Sequence, residues 1–430
     1  MSLILQSFLS ILLILVLNES GIPKKNILFL TIDTLRADHL GCYGYNLPTS
    51  NNIDALAKKG LIFDNCIAEV PLTCPSFSSM LTSQYPRYLG VTRNGLGISD
   101  DNKTVQEILK EHGYFTFCVQ SNWTLKSRLS NLNQGFDIYD DDFHNKRWGI
   151  FSSERIADEV TRRAIQILNN CPQDKPFFAW VHYSDPHAPY HFRKEYNPGS
   201  KLQNDETKIG KVIKSYDSEI RFTDEHIGKL LMHLPKNTSI IFVADHGESL
   251  YEHNYLGHGR KLYQNEIRIP FFIVDDEVIP GRTSIPVRGI DVGPTILGIA
   301  KIEKPKYMLG KDILNEEIPV NRVRVIETYG GAVPKIPILR FFMKNSKPIM
   351  QSVIDNNWKL IVSGIQKELY NLKDDPKELN NLVLKEPEIV INVQKVIKEW
   401  SRKIPKTNPK TSNKISDEDM EVLRSMGYLE

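Results

Sequence analysis

The 430-residue sequence is poor in cysteine: Cys42, Cys66, Cys74, Cys118 and Cys171 are all there is, and no two form a Cys-x-x-Cys pair. An odd count without paired spacing excludes a disulfide framework and a zinc knuckle, and leaves most of these thiols as small core residues. Charge of one sign is missing too. Lys+Arg 54 against Asp+Glu 52 gives a formal +2, with no long basic run and no aromatic–basic interleaving, so nucleic acid is not an expected partner. Internal repeats and low-complexity stretches are absent, and 41% hydrophobic with 25% charged residues is an ordinary globular composition. The apolar run Leu3–Leu17 is short for a membrane span and has no basic flank before it. Residues 1–22 read as a signal peptide or short anchor, which makes the protein exported or membrane-associated through residues 3–17. The alternative is a helix packed on the globular part of a cytoplasmic protein.

What is present is an alternation. Asn26–Thr31, Leu61–Ala68, Tyr114–Val119, Phe177–His182 and Ser239–Ala244 are apolar runs of strand length. Between them lie helical patterns at Asn52–Lys59, at Thr104–Gly113 behind a Thr104/Glu107 capping box, at Ser152–Asn170 and at Ile209–Leu234. That order predicts an α/β fold, a doubly wound and mostly parallel sheet with helices on both faces. After about residue 320 short strands replace it, at Arg322–Glu327, Ile338–Met343, Ser352–Val362 and Glu368–Leu372, with helices near Glu386–Lys403 and Ser416–Met426. The expected division is a catalytic domain over 23–320 and a smaller antiparallel α+β lobe over 321–430.

Ligands in such sheets bind beyond the carboxyl ends of strands, and Asp33, His187, Asp245 and His246 all fall just after predicted strands. Two carboxylates and an imidazole make a plausible set of ligands for a divalent metal, although an isolated Asp-His-Gly is also an ordinary turn. Thr73 stands at the start of a predicted helix marked by Pro75, so its hydroxyl could join the metal while the helix N–H groups face an anion. Metal contact would lower the pKa of that hydroxyl and make a weak nucleophile reactive. His187 and His258 are candidates for the far side of the substrate. Arg260 and Lys261 beside His258, together with Asn94, are candidate substrate contacts, although a solvated Arg–Lys pair is as good a reading. His39, His112, His182 and His253 read as structural.

These residues sit in stretches similar to the sulfatase family of the alkaline phosphatase superfamily. The resemblance runs from NILFLTIDTLRADHLGCYGY (26–45) and PTSNNIDALAKKGLIFDN (48–65) through VPLTCPSFSSMLTSQYP (70–86) and VADHGES (243–249). It continues in LGHGRKLY with IRIP and in KELYNLKDDPKELNNL (367–382), and closes on ISDEDMEVLRSMGYLE (415–430). The resemblance implies cleavage of a sulfate or phosphate ester through a covalent intermediate on a metal-bound nucleophile. One departure matters. Formylglycine sulfatases carry Cys-x-Pro-Ser-Arg, whereas here Thr73 takes the first position, Cys74 the variable one and Phe77 that of the arginine. Thr34 replaces a usual second acid, and Ser121–Thr124 has no match to the lysine of the family's Lys-Trp-His.

No formylglycine is therefore expected, and a Thr73 ester must be opened by attack at its central atom. This resembles the superfamily's phosphodiesterases and phosphoethanolamine transferases, and it tilts the expectation toward phosphorus. A sulfuric ester hydrolase without formylglycine is the runner-up, and a non-catalytic member binding an anionic glycan or lipid the third reading. The imidazole of His246 favours zinc or manganese over calcium or magnesium. The expected mechanism is in-line displacement by Thr73, with metal on Asp33, Thr73, Asp245 and His246 and charge stabilised by His187 and His258.

Overall fold

Seven consecutive buried residues, Asn26–Ile32, form the central strand of a nine-stranded sheet. The computed structural model describes residues 24–143, 154–199, 207–330, 347–404 and 406. The strand order is Gly281–Thr283, Leu61–Ile67, Arg268–Val274, Thr238–Ala244, Asn26–Ile32, Phe177–Tyr183, Phe115–Val119 and Ile138–Asp140, with Val287–Arg288 also on Leu61–Ile67. Asn26–Ile32 runs parallel to both neighbours, and only Arg268–Val274 is antiparallel to the strands beside it. A strand covered on both faces cannot show polar–apolar alternation, which is why these segments read as continuous apolar runs. Phe29, Phe178, Trp180 and Phe242 are fully buried along them, and each such side chain contributes roughly 1.5–3 kcal/mol.

Two groups of helices cover the sheet. Asn51–Ala57 and Ala157–Leu168 pack on the long Lys208–Leu231, which buries Tyr216, Ile220, Ile227 and Leu230 at helical spacing. Thr73–Thr82, Val105–Glu111 and Val292–Ile299 form the other group. The Thr104/Glu107 capping box is present with both reciprocal bonds.

The C-terminal part is a four-stranded antiparallel sheet, Arg324–Thr328, Met350–Asp355, Trp358–Ser363 and Gln366–Asn371. Its alternation is clean. Val325, Val353, Leu360 and Leu369 face the helix Pro387–Lys403 through Val390, Val393 and Ile397. Ile326, Ile354, Ile361 and Tyr370 face Leu262, Tyr263 and Ile267 of the large-sheet part. The expected single strand Ser352–Val362 is instead the two arms of a hairpin. Asn356, at φ 52°, takes the left-handed turn that asparagine tolerates, so the chain reverses within the apolar run. The expected strand Ile338–Met343, the expected helix Ser416–Met426 and the run Leu3–Leu17 lie outside the described residues. Among the described residues no helix is long and apolar enough to cross a membrane.

Candidate active site

Strand register assembles the site. Ile32 pairs with Tyr183 on one side and Ala244 on the other, so Asp33, Ser184 and Asp245 leave the sheet at one level. Asp33, Asp245 and His246 are fully buried, and one ligand atom from each lies within 4.8 Å of the others. His246 Nε2 is 3.4 Å from Asp245 Oδ2, 3.8 Å from Asp33 Oδ1 and 3.4 Å from Thr73 Oγ1. Thr73 is thus brought to His246 from 173 residues away in sequence.

The donor inventory shows what this cluster lacks. Asp245 Oδ1 accepts the Thr34 and His246 backbone N–H groups at 3.1 and 2.8 Å, and Asn122 Nδ2 donates to Asp33 Oδ2. Asp33 Oδ1 and Asp245 Oδ2 are buried with no hydrogen-bond partner. His246 Nδ1–H donates to Gly247 O at 2.9 Å, which turns the Nε2 lone pair toward those two oxygens. Three lone-pair atoms therefore converge with only the Thr73 hydroxyl to offer a proton. Orphaned buried carboxylate oxygens cost several kcal/mol unless compensated, and a divalent cation is the natural compensation.

The titration behaviour carries the same message. Burial would raise the Asp33 carboxyl, but the neighbouring His182 and the charge of His187 hold it well below the usual range. Burial and the neighbouring Asp33 charge push Asp245 up. Burial and His258 bring His246 down to about 3, so its imidazole is neutral.

Cys74 is turned away from the cluster. Its S–H donates to Leu96 O at 3.4 Å, and burial raises the thiol to about 12. The neighbouring Phe77, at the position where the resemblance implies arginine, packs edge-on against Phe29 and His182 and tilted against Trp180. One expectation fails here. Cys74 N–H is already bonded to Asn94 Oδ1 at 3.0 Å, Pro75 has none, and Ser76 N–H reaches Leu72 O at 2.9 Å. The first helical turn beyond Thr73 therefore has no spare N–H groups to cradle an anion.

His187 and His258 face the cluster from the other side. Their ring centroids are 5.2 Å apart, and His258 is 4.4 Å from His246. Each has Nδ1 3.1 Å from a fully buried glutamate: His187, whose Nδ1–H donates to Ala188 O at 2.7 Å, lies beside Glu154, and His258 lies beside Glu248. Burial would lower His187, but Glu154 and Asp33 hold it up at about 10, so it is an imidazolium at neutral pH.

Sequence reasoning does not single out Asn122, Glu154 or Glu248, and it places His182 among structural histidines. His182 lies within the strand, yet its Nε2 is 3.8 Å from Asp33 Oδ2 while Nδ1 meets Thr31 Oγ1 at 2.9 Å. Glu248 carried a signal, two residues beyond His246; Glu154, in irregular chain, carried none. Asn94 is buried, and its Nδ2 has no hydrogen bond. Arg260 is exposed and Lys261 half-buried.

A family model for sulfatases matches residues 25–302 of this geometry. The chain belongs to the sulfatase family. Members of that family are ester-bond hydrolases, and they generally work with a divalent metal. A second model, for the N-sulphoglucosamine sulphohydrolase C-terminal region, matches residues 251–407. The chain is similar to the uncharacterized sulfatase YidJ of Escherichia coli (strain K12), 24% identical over 429 residues, covering 84% of this chain and 83% of that protein. It is also similar to an N-acetylglucosamine-6-O-sulfatase of Bacteroides thetaiotaomicron, 25% identical over 471 residues, covering 84% and 82%. Among solved structures the fold matches BT4656 in complex with its substrate D-glucosamine-2-N,6-O-disulfate, with TM-score 0.72 and 21% identity over 90% of this chain and 100% of that one. It equally matches a phosphonate monoester hydrolase of Agrobacterium radiobacter, with TM-score 0.70 and 17% identity over 92% and 98%.

Proposed function

We propose that this sulfatase-family chain hydrolyses a sulfuric ester on a glycan, with Thr73 as the nucleophile. The observation that carries the reading is the position of Thr73 Oγ1, 3.4 Å from His246 Nε2 in the acid cluster, while the Cys74 sulfur is bonded away to Leu96 O. The names of the relatives, N-acetylglucosamine-6-O-sulfatase among them, support sulfate and a sugar alcohol as the ester's two parts.

Asp33, Asp245, His246 and Thr73 would hold one divalent metal, with zinc or manganese favoured by the imidazole. When bound, that ion supplies charge stabilisation and acidifies the hydroxyl. Thr73 Oγ1 loses its proton to water as it attacks sulfur, the S–O bond to the sugar breaks, and a separate proton is delivered to the departing alcohol. His258, braced at Nδ1 by Glu248, presents its opposite nitrogen for that delivery. His187, kept as an imidazolium by Glu154, donates to a non-bridging oxygen. Water then attacks the same sulfur, releasing hydrogen sulfate and restoring the Thr73 hydroxyl. Asn94, Arg260 and Lys261 stand as substrate contacts, and the chain divides into a catalytic unit to about residue 320 and a smaller one beyond.

A phosphate ester is the second reading. It is favoured by the same hydroxyl: a threonine ester cannot collapse to an aldehyde and needs displacement at the central atom, which phosphorus accepts readily. The deciding experiment offers purified protein aryl sulfate, aryl phosphate and aryl phosphodiester with zinc, manganese, calcium or magnesium, alongside Thr73→Ala and Cys74→Ala. The expected result is metal-dependent sulfate release, lost in Thr73→Ala and kept in Cys74→Ala. Turnover of phosphate esters alone promotes the second reading, and binding without turnover rejects both.

A further inference from the structure

The first strand of the C-terminal sheet, Arg324–Thr328, is bonded to two segments of the large-sheet part: one leads to the proposed nucleophile and the other carries the proposed acid. Glu327 N–H donates at 3.0 Å to the carbonyl of Glu69, which precedes Thr73 by a short stretch of chain, and Thr328 Oγ1 donates to the carbonyl of Gly259, the residue after His258. The two segments also press on each other. A Cβ on Gly259 would stand 2.8 Å from Leu72 Cδ2, and Leu72 directly precedes Thr73. Gly259 has φ +87°, so the backbone turn and the close approach both call for glycine.

Regular structure does little to hold His258 in place. The strand Leu256–Gly257 ends just before it and the next helix starts at Gln264, so residues 258–263 belong to no helix or strand. Two hydroxyls act instead. Tyr255 O–H donates to His258 O at 2.7 Å, and Thr328 O–H donates to Gly259 O. Consecutive carbonyls are thus held, one from the preceding turn of chain and one from the C-terminal sheet.

Thr328 is itself fixed for this task. It is fully buried and pairs with Met350 in the antiparallel ladder, and its carbonyl accepts Ile349 N–H at 2.8 Å. Its hydroxyl oxygen accepts Gly330 N–H at 3.2 Å, which occupies a lone pair and leaves the O–H proton for Gly259 O. The 3.1 Å contact of His258 with Glu248 orients the imidazole, but only while the backbone beneath it keeps its place.

We propose that Thr328 is a positioning residue for His258, so that the C-terminal sheet completes the active site by fixing the acid relative to the nucleophile. The inference rests on the reading of His258 as the group that protonates the departing alcohol. A misplaced acid costs little when the alcohol leaves readily unaided and much when it does not. The loss should therefore grow as the leaving group becomes less acidic, a pattern that general loosening of the fold does not produce.

The test compares Thr328→Val, which keeps the shape and removes the O–H, with Thr328→Ser, which keeps the O–H. Both are assayed with the wild type, metal-loaded, on aryl sulfates graded from nitrophenyl to methylphenyl, and crystal structures of the wild type and Thr328→Val are determined alongside. Thr328→Val should lower kcat by about 100-fold on the least acidic phenol, the scale of about 1 Å of misplacement. On nitrophenyl sulfate the loss should stay under about threefold, because acid assistance matters little there. KM should not change, and Thr328→Ser should return the whole series to near the wild-type level.

Equal loss on every ester overturns the proposal, as does no loss at all or a serine variant no better than valine. If the wild type hydrolyses none of the esters, the hydrolase reading falls and the crystal structures decide this one alone. A His258 ring displaced from Glu248 in Thr328→Val then sustains it, and an unmoved ring overturns it.

Discussion

The two sheets of this molecule bury similar side chains by opposite means. In the large one, Asn26–Ile32 and Phe177–Tyr183 are buried residue after residue on both faces, and two polar side chains within them, Thr31 and His182, bond to each other. Asp33, Ser184, Asp245 and His246 occupy the ends of the central strands, and the candidate metal cluster forms there. In the small one, Val353 and Ile354, or Leu360 and Ile361, point alternately to a helix and to the catalytic part. Its strands work as a two-sided wedge, pressing on Leu262–Ile267 and so fixing the loop that carries His258. A parallel sheet thus collects ligands at its edge, whereas an antiparallel one positions the loop packed on its face.

The largest effect that would break this comparison is at the strand-end cluster. Thr73→Ala is expected to lower kcat by about 10⁴-fold or more, with Cys74→Ala near wild type in a direct ester-cleavage assay; the reverse ranking would move the nucleophile. Next, chelation followed by metal titration should return activity to the wild type. Asp245→Asn should weaken metal affinity by more than about 100-fold, read by calorimetry, and an unchanged affinity would remove Asp245 from the site.

Smaller effects probe the wedge. Leu360→Ala and Ile354→Ala should each cost roughly 2–5 kcal/mol in denaturant unfolding. Only Ile354→Ala, on the face toward Leu262 and Ile267, should also lower kcat; equal kinetic effects would deny the two faces separate roles. The smallest expected effect is a pH dependence. His187 is raised from 6.5 to about 10 in the fold, against the pull of burial, by Glu154. Its contribution is therefore complete below about pH 6.5 and is lost as pH climbs through about 10. The stability gap between wild type and Glu154→Gln should be about 2 kcal/mol near pH 6 and close above pH 10, measured by urea midpoints. A gap that instead widens with pH would mean that the pair is not an ion pair.

Much of the site could be read from the residues because each member follows an apolar run, and a run that stops at an acid or histidine announces its own strand end. Asp33, Asp245 and His246, which the structure brings together, are marked in that way, and Thr73 by the proline two residues on. Asn122 reaches Asp33 and Glu154 reaches His187 through space, and nothing in their local spacing marks a contact with a side chain dozens of positions away; Glu248, beside His258, is marked only by standing two residues beyond His246. The nearness of His182 to Asp33 was hidden for a related reason: a position inside a strand reveals nothing about which neighbour's carboxylate lies level with it. The hairpin at Asn356 was missed because both of its arms are apolar, and periodicity does not register a turn made by one left-handed asparagine.

The order of strands and helices, the division between a parallel and an antiparallel sheet, and the residue types available for a metal follow from the chain itself, because apolar period and turn chemistry are local properties. That the Thr73 oxygen lies beside the acids while the Cys74 sulfur is bonded to Leu96 O is set by packing. The helix beginning at Thr73 buries Cys74 and Phe77 against the sheet and, by its rotation alone, leaves the Thr73 hydroxyl facing Asp33, Asp245 and His246.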